Sequence, residues 1–346
     1  MTVDVVEALP TEVRAANRRR AAVVGATLAA LVAGLFVLSM MIGSYRLTPW
    51  EVIVSVSGLS PDPAIDFIVR DLRLPVASTA LAVGFALGVA GLIFQNLLAN
   101  PLASPDFVGV SSGASLFAVA SIVLLGATSV SISVFALAGA LVSAVLVYVL
   151  AWRGGLSGFR FILVGIGIAE LTYSLIGYML ARSDIYEARA AMTWLVGSVG
   201  MAGSGELRLL VVALVVLVPC ALLLGRTLRV LELGDDAARA LGARVELHRL
   251  ALIAVSIAFV GLATAAAGPI MFVALVAGPI ARRLLGPASG GIVAAGLVGA
   301  SIVLGADLVA QHLLPTALPT GVVTGAVGAP YLIWLLSTVN REGRGG

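Results

Sequence analysis

The chain has 346 residues, 60% of them hydrophobic and only 11% charged, with a mean hydropathy of +1.10 and a formal net charge of +3. That composition excludes a water-soluble globular domain and places most of the chain in lipid. All 21 basic side chains are arginine, so a Walker A loop, which needs a lysine on the nucleotide phosphates, is excluded.

Crossing a hydrocarbon core of about 30 Å takes roughly 20 apolar helical residues. The long runs here are continuously apolar rather than alternating, which selects helices over barrel strands. Residues 1–20 read as a cytoplasmic tail ending in Arg18, Arg19 and Arg20. The first run, 21–43, is long enough to span and reads as a retained helix rather than a secretory signal. An outer loop follows from Ser44 to Pro75. Within it LTPWEVIVSVSGL predicts a short helix capped by Thr48 with Pro49 in its first position. Further spans are expected near 76–98, 110–126, 130–151, 160–181, 208–225, 249–268, 269–286, 290–312 and 320–339. Gly268-Pro269 divides the seventh from the eighth. Residues 340–346 form a second cytoplasmic tail, and 21–339 make a single transmembrane domain.

Arginine positions orient the spans, because short cytoplasmic loops carry the excess of positive charge. With the N-terminus inside, 15 of the 21 arginines fall on the inner side. Both termini are therefore cytoplasmic, in agreement with an even number of spans. The fold class is all-α integral membrane, with about ten transmembrane helices.

Three polar stretches carry functional information. The outer loop holds Arg70 and Arg73 just before the second span, where they could meet acids on an extracytoplasmic protein or snorkel at the interface. An inner turn, NPLASPDFVG, places Pro101 and Pro105 around a stiff bend with Asp106 as its only charge. It reads as an ordinary tight turn or as a constriction in which Asn100 and Leu102 help close the inner mouth of a path. The inner loop at 226–248, within the stretch from Gly225 to Arg249, reads RTLRVLELGDDAARALGARVELH. Its acidic cluster, Glu232, Asp235 and Asp236, stands at the positive end of a short helix through Ala238, with Arg239 toward the negative end and Gly242 at the exit. Such a rigid element on the cytoplasmic face gives a soluble partner something to push.

Two carboxylates fall within spans. A charge at the bilayer centre costs about 2.5–3.5 kcal/mol on insertion scales, so such groups usually face a cavity or a partner. Glu170 lies near the middle of the fifth span and reads as a proton site or a polar lining residue. Asp307 lies near the outer end of its span, within reach of the interface. Gly109 to Gly113, GVSSG, matches a hydrolase nucleophile elbow in letters only, because the elbow needs a strand before it and this copy opens a membrane helix. Its small residues instead permit close helix packing. Cys220 is the only cysteine, which excludes an intrachain disulfide or cysteine-cluster metal site, and it reads as a small buried hydrophobe.

Together these stretches resemble the permease subunit of the FecCD family of ABC importers, which bring in ferric siderophores, haem and cobalamin. The resemblance is carried by RLPVASTALAVGFALGVAGLIFQNLLANPLASPDFVGVSSGAS, LELGDDAARALGARV, AGPIMFVALVAGPIARRLLG and ADLVAQHLLPTALPTGVVTGAVGAPYLIWLL, with the opening SYRLTPWEV. It implies a permease of the large, cobalamin-importer-like type that pairs with itself or a paralogue around the substrate path. A cytoplasmic ABC ATPase dimer would supply ATP and Mg2+, leaving this chain with no cofactor, metal or catalytic residue. The ATPase seat corresponds to Glu232 through Val245, including Leu233, Gly234, Ala238, Leu241 and Gly242. An extracytoplasmic binding protein would dock partly at Arg73. Asn100, Pro101 and Leu102 correspond to an inner gate, and Ser157, Gly158 and Phe159 to a second.

Departures fall on the outer face, where Val76, Gln311 and Ala317 replace charged residues of the family pattern, and in the eighth span, where the usual proline is shifted to Gly278-Pro279. The wording FVALVA and GAVGAPYLIWLL resembles ferric-catecholate permeases, so a ferric siderophore is the expected cargo. Lipid is a partner and nucleic acid is not. The expected location is the bacterial cytoplasmic membrane. The remaining alternatives are a proton-coupled secondary carrier using Glu170 and a membrane hydrolase using Ser111.

Overall fold

The computed structural model describes residues 3–153, 158–286 and 291–342, and among these every regular element is helical. In chain order the α-helices begin with α1 Val3–Met41, α2 Pro49–Val56, α3 Pro63–Asp66, α4 Leu74–Leu97 and α5 Val110–Leu125. They continue with α6 Ser129–Ala151, α7 Gly158–Arg182, α8 Ile185–Val196, α9 Ser204–Leu231 and α10 Asp235–Ala240. The last four are α11 Val245–Ala267, α12 Val273–Leu285, α13 Ile292–His312 and α14 Thr320–Glu342. A π-helical stretch, Phe67–Arg73, leads into α4, and short 3-10 turns precede α5 and α9.

Each expected span corresponds to one helix: α1, α4, α5, α6, α7, α9, α11, α12, α13 and α14. Seven described helical segments are long and apolar enough to cross a membrane unaided; α5, α12 and the apolar part of α14 are shorter. The predicted outer helix is α2. Thr48 accepts from the Glu51 amide while Glu51 accepts from the Thr48 amide, a reciprocal capping box behind Pro49. The Thr48 amide and hydroxyl together hold the exposed Glu51 carboxyl below its ordinary range.

Four boundaries differ from expectation. The helix expected at 269–286 starts only at Val273, because Gly268 and Phe272 adopt positive φ and the chain between them is irregular. That irregular backbone is covered by protein: Ser198 N–H donates to Ala267 O at 2.8 Å and Gly321 N–H to Gly197 O at 3.0 Å. A side chain at Gly197 would strike Pro269 and one at Gly321 would strike Val196, so this junction needs glycine for close approach. At the N-terminus the tail read as 1–20 is helical from Val3, continuous with the first span. Helix α9 extends to Leu231 and α11 begins at Val245, so the inner segment 226–248 contains two helix ends with α10 between them. The fourth difference is α8, in what read as plain outer loop. Asp184 and Glu187 form its capping box, a D-x-x-E signal that is visible in the sequence.

Helix α4 is the hub, packed against α1, α9, α11, α12 and α13. Its glycines set the distance of approach. A Cβ on Gly84 would meet the backbone of Gly299 and Ala300 in α13, one on Gly88 would meet Ala295, and one on Gly91 would meet Ala274 in α12. A second group, α5, α6 and α7, joins the hub through α11 and is itself closed by Gly113 on Gly139.

Candidate functional site

The C-terminus of α4 begins the site. Ala99 N–H donates to Asn96 O and Asn100 N–H to Gln95 O at 3.0 Å, the paired bonds of a Schellman ending with Ala99 in the left-handed position, φ 47°. The Asn100 carboxamide then accepts from the Leu102 amide at 2.9 Å and fixes the turn. Further on, the Asp106 carboxylate accepts from the Ser111 hydroxyl at 2.7 Å and the Ser104 hydroxyl at 3.2 Å. Ser143 of α6 bonds Gly109 O at 2.6 Å. The segment from Asn100 to Gly109 is therefore a structured plug held by α5 and α6, and Ser111 is committed to it rather than arranged as a nucleophile.

A proline in α12 ties this plug to the neighbouring helix. Pro279 has no N–H, which leaves Leu275 O without its helical donor. The Gln95 carboxamide fills that vacancy, Nε2 donating to Leu275 O at 2.8 Å, beside Gly278, where a Cβ would strike Gln95. Arg282, one turn further on, donates to Gln95 Oε1 at 3.0 Å and to Asn96 Oδ1 at 2.5 Å. The shifted Gly278-Pro279 pair thus creates the acceptor that anchors the end of α4.

The inner loop is compact. Gly234 (φ 95°) and Gly242 (φ 82°) bound α10 with conformations that favour glycine. Asp235 accepts from Arg249 of α11 at 2.8 Å, and Arg249 also pairs with Glu246 at 3.6 Å. Arg239 pairs with Asp236 at 3.1 Å and with Asp235 at 3.9 Å. Exposed pairs of this kind contribute about 0.2–1 kcal/mol; the Asp235–Arg249 contact, with Arg249 largely enclosed, ties α10 to α11. Ala238 is fully buried while Leu233 and Leu241 are 63% and 66% exposed. The loop therefore presents two leucines from a platform that is fixed from beneath.

These regions, distant in sequence, line one cytoplasmic cavity of about 990 Å3. Asn100 and Pro101 of the turn, Gly158 of α7, Glu232, Gly234 and Asp235 of the inner loop, and Arg282 all contribute to its wall. Gly158 packs on Leu98, so the two expected gate segments are adjacent. Phe159 is 79% exposed beside them, and Leu102 is half-buried. Ser157 lies outside the described residues. Sequence reasoning passed over Gln95, Asn96 and Arg282; the signal for them was Pro279, whose missing donor demands a partner.

On the opposite face a cavity of about 720 Å3 gathers Arg73, Val76, Asp307, Gln311 and Ala317. All three uncharged departures thus stand around one vestibule. Arg73 donates to Met40 O at 2.8 Å and to Tyr45 O, stapling the end of α1 to the start of α4. Arg70 pairs with Asp66 at 3.6 Å and remains half exposed. Asp307 turns inward and accepts from Thr320 of α14 at 2.9 Å, joining α13 to α14. Glu170 is exposed on α7, and Cys220 is half-buried in α9.

A helical bundle of this kind, with a stiff inner turn and a short cytoplasmic helix on a common cavity, defines a membrane permease. Residues 30–338 match the FecCD transport family, and the chain belongs to it. It is 40% identical over 316 residues to the ferric enterobactin transport system permease protein FepG of Escherichia coli (strain K12), covering 91% of this chain and 94% of that one. It is 41% identical over 310 residues to the achromobactin transport system permease protein CbrC of Dickeya dadantii (strain 3937), covering 88% of each. A solved inward-facing metal-chelate-type ABC transporter superposes with a TM-score of 0.77 at 26% identity, covering 91% of this chain and 98% of that one. The chain is a multi-pass permease subunit of an ABC importer in the cytoplasmic membrane.

Proposed function

We propose that the chain passes ferric siderophores along a path between two permease subunits, itself and a second copy or a paralogue, driven by a separate cytoplasmic ATPase pair. The observation that carries this reading is the shared cavity: the inner turn and the inner loop line one space, and α10 packs on α9 and α11, which in turn pack on α4, whose end carries Asn100 and Pro101. The exposed Leu233 and Leu241 flank α10 and give the ATPase an apolar grip on it. ATP and Mg2+ belong to that partner. Closure of the ATPase pair pushes α10, and the Asp235–Arg249 contact passes the push into α11.

Outside, a substrate-binding protein docks over the vestibule, with half-exposed Arg70 as a contact. Arg73, bonded to two backbone carbonyls, supports that surface from beneath. Asn100, Pro101, Leu102, Gly158 and Phe159, with Ser157, form the inner gate. The names of the relatives, ferric enterobactin and achromobactin permeases, supply the cargo class.

The test is uptake of radiolabelled iron by cells that carry the whole importer and lack other iron routes. Ala238→Trp forces α10 off its platform; uptake should fall at least about tenfold while the ATPase still associates and hydrolyses ATP. Unchanged uptake in that variant would sink the coupling role, and absence of iron uptake by the intact importer with any ferric siderophore would sink the cargo.

A further inference from the structure

Helices α1 and α9 both pack on α4 and hardly meet each other, which leaves part of α4 uncovered between them. A groove of about 480 Å3 occupies that place. Leu81 and Phe85 of α4 form its floor, with Phe36 of α1 on one side and Val211, Val215 and Val218 of α9 on the other. Ser78, at its outer end, is the only polar side chain in its wall. Gly296 of α13 lies against the Phe85 ring, where a Cβ would strike it, so the floor is fixed from behind. The lining segments, 78–85 on α4 and 211–218 on α9, are each about 10 Å long at 1.5 Å per residue and start within about two turns of the outer helix ends. The groove therefore lies in the outer half of a hydrocarbon core about 30 Å thick.

Both walls belong to helices that face lipid: the most apolar stretch of α1, like that of α9, is only 11% buried. Water does not fill an apolar recess, and an empty one forfeits the dispersion contacts of every side chain around it. The outer end carries a charge. Arg208 stands one turn above Val211 and two above Val215 on the same side of α9. It is exposed and makes no ion pair or hydrogen bond among the described residues. Glu206, the nearest acid along α9, is buried and its carboxylate lies over Gly203. An uncompensated cation at the interface, above an apolar groove in the outer leaflet, complements an anionic phospholipid: phosphate at headgroup level, acyl chain beneath.

We propose that the groove between α1, α4 and α9 is a lipid site, holding one acyl chain of an anionic phospholipid of the outer leaflet whose phosphate is bound by Arg208. The chain supplies the contact that α1 and α9 do not make with each other and so braces the first span against the hub. Its drive is shape: hydrocarbon gains nothing in hydrophobicity by leaving the bilayer, but a chain laid between three helices touches protein on most of its sides. A zwitterionic phospholipid offers the same chain yet carries its own cation beside the phosphate, so it depends less on Arg208. The site follows from the membrane location of the chain, and its test is independent of the cargo.

The assembled importer is reconstituted in phosphatidylcholine bilayers containing a trace of phosphatidylglycerol with a photoactivatable diazirine on one acyl chain, and cross-links are mapped by peptide mass spectrometry. Label should reach residues 78–85 of α4, which lipid can approach through the groove. Val215→Trp fills the groove and should cut that label at least about fivefold, whereas Val216→Trp, comparably exposed but outside the groove, should leave it within about twofold. Arg208→Gln should lower the phosphatidylglycerol label about fivefold, the effect of one cation on an anionic headgroup, and Arg208→Lys should restore it. A phosphatidylcholine probe with the same diazirine should change less than about twofold in Arg208→Gln. Absence of label on 78–85, label there indifferent to Val215→Trp, or an equal response of the two probes to Arg208→Gln overturns the site.

Discussion

Helices α4 and α9 are both long, apolar and able to span, yet they live in different solvents. In the segment that ends in α4, 78% of the most apolar stretch is buried in protein; in α9 the figure is 11%, although α9 is the more apolar of the two. Lipid is as apolar as leucine, so greasiness does not draw a helix into a membrane protein's interior. Fit does: Gly84 and Gly88 let the backbone of α13 touch α4, Gly91 lets that of α12 do so, and Gln95 closes its lower end. Helix α9 has a coat of valine and leucine for the bilayer.

The comparison breaks first at Gly91. Gly91→Val drives a side chain into the Ala274 backbone, so a loss of more than about 3 kcal/mol is expected, read as failure of the permease to accumulate in the membrane. If that variant accumulates normally, α4 is not the tight hub described. Next is Arg282→Ala, which removes donors from Gln95 and Asn96. A loss of about 1–3 kcal/mol should appear as a lowered thermal midpoint in detergent, together with slower uptake. Ala99→Gly should act in the opposite direction, raising the midpoint by the equivalent of about 0.5–1 kcal/mol, since glycine adopts the left-handed position without strain. The smallest effect is expected at Leu223→Ala on α9, within about 0.5 kcal/mol, because the exposed side chain exchanges one apolar surroundings for another. A large loss there would place a protein partner on that surface.

Spans were legible because hydrophobic length is a local property: a window of twenty residues contains its own answer. So was α2, whose start is written in Thr48, Pro49 and Glu51. The same kind of signal at Asp184 and Glu187 marks α8, in a stretch between two expected spans that hydrophobic length alone leaves as loop. What local reading could not supply was register between helices. Nothing near Gln95 in the sequence names Leu275, because that meeting depends on how far α4 slides along α12 before Gly91 locks against Ala274, and nothing near Asn100 names Glu232, with which it shares a cavity wall. Sequence reasoning likewise placed Asp307 within reach of the interface, whereas its hydroxyl partner, Thr320, lies beyond a turn whose path is set by the bundle.

Pro279 reverses the usual expectation of a helix breaker. Replacing it with alanine would restore the ladder of α12, since residue 279 could then donate to Leu275 O. The restored bond would compete with Gln95 for that oxygen, leave a buried amide searching for an acceptor, and weaken the grip of Arg282 on the end of α4. A change that improves one helix by every local measure would therefore loosen the joint between two. Positions 95, 278, 279 and 282 are therefore coupled in this chain: a substitution at one changes what the others have to bond or make room for.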